Sequence, residues 1–87
     1  MKLKYEFSMQ EMDGKYAAVA VNDDVGMFNG LLWVNEEGKA ILELLSEDIK
    51  REALISSLME KFDAEEADIV PSLDAFLQKL DEQELLA

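Results

Sequence analysis

The chain contains neither cysteine nor histidine. No disulfide frame can staple the fold, and the usual zinc ligand sets, a Ser-His pair and a cysteine nucleophile are all excluded. Proline occurs once, and the four glycines, Gly14, Gly26, Gly30 and Gly38, are too scattered to form a phosphate-binding loop. No uncharged apolar stretch approaches the roughly 20 residues that span a bilayer. Met1-Lys2-Leu3-Lys4-Tyr5-Glu6 is basic but is not followed by the apolar run of a signal peptide. These absences point to a small non-catalytic binding domain with no metal and no cofactor, and make the cytoplasm the default location.

What remains is 87 residues, 49% apolar and 32% charged. That composition fits one globular domain over 1–87. A chain of this size buries only roughly 60–70% of its unfolded surface, so its stability is modest. Eight basic residues face 20 acidic ones, for a net charge of −12. Most of the excess lies after residue 34, where five basic residues stand against fifteen acids. Phosphate backbones are repelled, which excludes nucleic acid as a partner. The acidity serves solubility, or it marks a face that prefers a basic peptide.

The first third of the chain patterns as strands. Tyr5, Phe7 and Met9 alternate with Glu6, Ser8 and Gln10, the period of a half-buried strand. Asp13-Gly14 is a hairpin signal, and Lys15 to Val21 forms the second strand. Asn22-Asp23-Asp24 with Gly26 makes a longer loop. Phe28 to Val34 is the third strand. Leu31 to Val34 are apolar on both faces, which suggests that both faces are covered at least part of the time.

The remainder patterns as helices. Asn35 is an N-cap, and Glu36-Glu37 sit at the positive end of the helix dipole. Ile41, Leu42, Leu44 and Leu45 form the buried stripe of a helix running to about Ser46. Leu54, Ile55, Leu58, Met59 and Phe62 repeat with a helical period. That helix is capped by Asp48, or by Lys50 with Ile49 and Leu54 as a staple. Glu65-Glu66 mark another start. Pro71 predicts a turn at 64–69, a bend, and a main helix at about 70–82 with Leu73, Phe76, Leu77 and Leu80 on one stripe. Leu85-Leu86 folds back as an apolar tail. The fold class is α+β: a three-stranded antiparallel sheet followed by three helices, in the order β-β-β-α-α-α.

Three constellations bear on function. Asp23-Asp24 could hold a weak calcium ion, but the spaced oxygen ligands of an EF-hand are missing. Pro71-Ser72-Leu73-Asp74 resembles the modified serine of acyl carrier proteins. Too little chain follows it, and three leading strands fit that fold poorly. Trp33 and its strand are either plain core or an edge with unpaired N–H and C=O groups, a template on which a partner peptide adds a strand. The Leu73/Phe76/Leu77/Leu80 stripe is mostly core, with one flank free to form an apolar wall beside that edge.

Phe28-Asn29-Gly30, then Val34-Asn35-Glu36-Glu37-Gly38 opening a helix with Ile41 and Leu44-Leu45, resembles the PqqD-like family. Leu54-Ile55, Leu58-Met59 and Phe62, then Ala75-Phe76-Leu77, Leu80 and Leu85-Leu86, fit the same pattern. The resemblance spans about Tyr5 to Leu86. Lys50 departs from it where Thr or Ser is common, Pro71 interrupts the last helix, and Glu84 replaces a frequent glycine.

The resemblance implies a winged helix-turn-helix-like RiPP recognition element. Such domains bind the leader of a ribosomally made precursor peptide and present it to a modifying enzyme, often a radical SAM protein. The leader lies as an added antiparallel strand on the third strand, packed toward the third helix. Carried onto this chain, the implied peptide-binding residues are Gly30, Leu31, Leu32, Trp33 and Val34, with a wall of Leu73, Phe76, Leu77 and Leu80 flanked by Asp74 and Asp81. The same edge would also suit a second copy of the chain. An acyl-carrier-like protein modified on Ser72 and a protein-docking domain without a leader are the alternatives.

Overall fold

A computed structural model describes residues 1–20 and 31–87. The loop at 22–26, the beginning of the expected third strand and Gly30 lie outside the described residues.

Strand β1 is Phe7–Met12, β2 is Lys15–Ala20 and β3 is Leu31–Val34. They form an antiparallel sheet in the order β1-β2-β3. Met12 pairs with Lys15, so the hairpin loop is only Asp13-Gly14. Both loop residues have positive φ, +53° and +82°, as a type I′ turn requires and as the Asp-Gly pair predicts. In the β2–β3 register Tyr16 meets Val34, Ala17 meets Trp33, and Ala18 meets Leu32. Side chains alternate across the sheet, so one face carries Phe7, Met9, Tyr16, Ala18, Leu32 and Val34. That inner face packs on the helices, and Ala18, Leu32 and Val34 are buried.

Helix α1 is Glu36–Leu44, α2 is Arg51–Phe62 and α3 is Glu66–Glu82. The Asn35 Oδ1 accepts from the Gly38 N–H at 2.8 Å and caps α1, with Glu36 and Glu37 in its first turn. Between the two starts open for α2, the structure selects Lys50 as the N-cap residue, without a side-chain cap bond.

The expected break at Pro71 is absent. α3 runs unbroken for 17 residues with Pro71 inside it. Its backbone bonds begin at the Glu65 carbonyl, which accepts from Asp68 and Ile69 at 3.0 and 3.1 Å. Asp68 is therefore already in the first turn, and Pro71 falls in the second. The apolar spacing of Ile69, Leu73 and Leu80, all buried in the core, outweighs the local cost of the proline.

Ile41, Leu42, Leu45, Leu54, Leu58, Leu73, Leu80 and Leu85 form the fully buried centre. The tail folds back as expected, and it does so onto the N-terminal segment. Leu3 bridges Leu86, the Lys4 N–H donates to the Leu85 carbonyl at 2.7 Å, and the Leu3 N–H donates to the Leu45 carbonyl at 3.0 Å. The Met1 ammonium donates to Asp48 at 2.7 Å and holds that exposed carboxyl below its usual range. Among the described residues no helix is long and apolar enough to cross a membrane.

Candidate functional site

β3 is the last strand of the sheet, and β2 is its only neighbour among the described residues. Backbone N–H and C=O groups point to alternate sides along a strand, so two of its four residues aim theirs away from β2. Soluble proteins commonly blunt such an edge with a charge or a proline, and Leu31-Leu32-Trp33-Val34 has neither. The other edge, β1, is longer and carries Glu11.

The four described residues of the implied strand divide by face. Leu32 and Val34 point into the core at 8% and 6% exposure, whereas Trp33 is 51% exposed on the opposite face. Among the described residues, helices therefore cover one side of β3 only. The outer side of β3 is open in this conformation, and Trp33 is not core.

The implied wall on α3 divides in the same manner. Leu73 and Leu80 are fully buried and offer no surface in this conformation. Phe76 and Leu77 are half-buried, and they form the accessible flank. Asp74 and Asp81 are exposed. Asp74 accepts from Arg51 of α2 at 2.6 Å, so its charge already has a partner.

Gly38 brings the strand and the wall together. A Cβ built there would lie 2.9 Å from the Val34 Cβ and 3.0 Å from the Phe76 Cε1. The absence of a side chain lets the first turn of α1 sit between the end of β3 and the middle of α3. Below it, a hollow of about 100 Å³ is lined by Asn35, Glu37, Gly38, Ile41, Ser72 and Phe76. Ser72 lies inside α3, and its hydroxyl donates to the Glu37 carboxylate at 2.8 Å, a second tie between α3 and α1. Neither the Gly38 contact nor the Ser72–Glu37 bond was part of the sequence reading. A glycine three residues after an N-cap asparagine was the available signal for the first.

A larger groove, about 560 Å³, lies elsewhere, along the N-terminal segment and β1 against the end of α1. Tyr5, Phe7, Met9 and Leu42 supply its apolar lining, with Lys2, Lys4 and Glu43 among its polar residues. Strand addition needs an open edge more than a cavity, so volume alone does not rank the two places. Among the described residues no three acidic side chains gather to hold a metal ion.

A family model described as coenzyme PQQ synthesis protein D (PqqD) matches residues 17–86. The matched segment contains β3, all three helices and the returning tail. Among solved structures, the fold is similar to that of TbiB1 in complex with the TbiA(beta) leader peptide. The TM-score is 0.70 at 19% identity, over 99% of this chain and 94% of that one. None of the curated proteins matches the chain.

Proposed function

The chain belongs to the PqqD family, and on that premise we propose that it binds the leader of a ribosomally synthesised precursor peptide and presents it to a modifying enzyme. The leader adds as an antiparallel strand to β3. Its inward side chains rest on the flank formed by Phe76 and Leu77. The chain does no chemistry itself, and the enzyme partner is of the radical SAM type. The observation that carries this reading is the uncharged, proline-free edge of β3 next to a half-exposed apolar flank. The solved TbiB1 structure, whose peptide is a leader, gives it support from the fold.

Backbone bonds supply alignment, and apolar burial supplies most of the affinity, at about 25 cal/mol per Å² before ordering costs. A disordered leader loses conformational freedom on binding, so micromolar or somewhat tighter affinity is expected. The acidic surface favours leaders that contain basic residues, and association slows with added salt. An acyl-carrier role for Ser72 has no support in a sheet-and-helix fold of this family.

Amide NMR titration with a synthetic leader from an adjacent precursor gene tests the proposal. Shifts are expected over residues 31–34 and 70–81. The groove beside β1 is the specific rival, because it pairs the other outer strand of the sheet with an apolar lining and two lysines. Shifts clustered on residues 5–20 would move the peptide there. An unchanged spectrum at saturating peptide would remove the function.

A further inference from the structure

Trp33 is the single tryptophan of the chain. It stands half-exposed on the outer face of the sheet, directly opposite Ala17 of β2. Ala17 is nearly buried, and Val19 follows on the same face at 43% exposure. No position of β1 or β2 on this face is acidic; they are serine, glutamine, methionine, lysine, alanine and valine. In a chain with 20 acidic residues, the outer face of the sheet is thus without negative charge, and its largest side chain sits on the open edge strand.

An antiparallel strand added to β3 places every second side chain on this outer face. The residue opposite Trp33 then has its Cβ about 4.5–5.5 Å from that of the tryptophan. On the β2 side the residue directly opposite the indole offers only a methyl group, and half of the Trp33 surface is left to solvent and to an incoming strand. Aromatic and β-branched residues make the favourable cross-strand pairs with such a ring. An aspartate or glutamate there would add to a net charge of −12.

We propose that Trp33 is a specificity-determining residue that reads the outward side chain of the bound strand, selecting an aromatic or β-branched residue opposite it. This rests on strand addition at β3. It adds a second, outer reading of a peptide whose inward residues face Phe76 and Leu77, so the recognised sequence alternates between two sets of demands.

Random dodecapeptides displayed on phage and selected against the immobilised chain supply the probe. Amide shifts at residues 31–34 establish whether a selected peptide adds to β3. A guest series of Tyr, Ile, Ala and Asp is then placed at the outward position. Tyr and Ile should bind up to about five-fold more tightly than Ala, with Asp weakest. Trp33→Ala should erase most of the difference between Tyr and Ala while melting close to the parent, because the site is half-exposed. The tryptophan emission should shift to the blue with the Tyr guest. Should the alanine variant melt early, Trp33→Ser takes its place, and the guest series on the unaltered chain decides independently. A peptide that shifts residues 31–34 but binds equally with Tyr, Ala or Asp guests overturns the role of Trp33 and leaves strand addition standing. If no selected peptide shifts those residues, both are overturned.

Discussion

A methyl group at position 38 would be forced against the Val34 Cβ and the Phe76 ring. The ring has some room to move, but the Val34 Cβ is fixed to a paired strand, so α1 must shift instead. Overpacking of this kind costs typically 1–3 kcal/mol, and we expect Gly38→Ala to destabilise by about that amount in denaturant melts. Leader affinity should fall with it, since the same contact joins β3 to the α3 flank. A variant as stable as the parent would show that α1 is free to move. Glu84 offers the opposite opportunity. It has φ +58° at the end of α3, where the Leu85 N–H donates to the Leu80 carbonyl and the Glu84 N–H to the Asp81 carbonyl. That is the Schellman pattern, in which glycine is the usual left-handed residue. Relief of left-handed strain outweighs the extra freedom glycine gives the unfolded chain, so Glu84→Gly should stabilise by about 0.5–1 kcal/mol. A loss of melting temperature would refute it. The glycine expected before Leu85-Leu86 was legible from the resemblance. The role of Gly38 was not, because its demand comes from two residues, one of them 38 positions along the chain.

At the scale of elements, local signals located the strands and helices well where chemistry is local. Asp13-Gly14 sets a two-residue turn by its tolerance of positive φ, and Asn35 caps α1 by a bond to an N–H three residues on. Both depend only on near neighbours. Pro71 misleads for the same reason. Its local effect is a break, but the core contacts of Ile69 on one side and of Leu73 and Leu80 on the other hold a single helix together. The missing N–H leaves the Ala67 carbonyl without its helical donor. An interior proline costs about 3 kcal/mol, and about 1 kcal/mol of that returns through its restriction of the unfolded chain. Pro71→Ala should therefore stabilise by about 1–2 kcal/mol. A change below about 0.5 kcal/mol would mean that the helix is nucleated at Asp68 and that its first turn contributes little. β3 illustrates the converse limit. A run of four apolar residues announces burial, yet which face meets helices depends on the register with β2, and that register is not written in the run itself.

Across the whole molecule the charge distribution decides what approaches. A sheet followed by helices offers shapes that elsewhere enter a DNA groove, so fold alone does not exclude nucleic acid. The net charge of −12 argues against it. The basic side chains are also dispersed or engaged: Arg51 is bound to Asp74, Lys39 to Glu43 with its ammonium 5.1 Å from the Tyr16 ring, and Lys2 and Lys4 line the groove beside β1. Nothing among the described residues assembles the positive stripe that counterion release needs. The outer face of the sheet, which carries no acidic residue, and the edge of β3 are the places where a peptide backbone can approach without passing a carboxylate on the strand itself. Micromolar protein should therefore give no shift of a random-sequence duplex at physiological salt, and none at low salt, where electrostatic binding would be strongest. Leader association should depend on salt where that of an uncharged peptide would not, faster at low salt for a basic leader and slower for an acidic one. A duplex retarded at low salt would reveal a cationic surface that these contacts leave no room for, and would return the domain to nucleic-acid recognition.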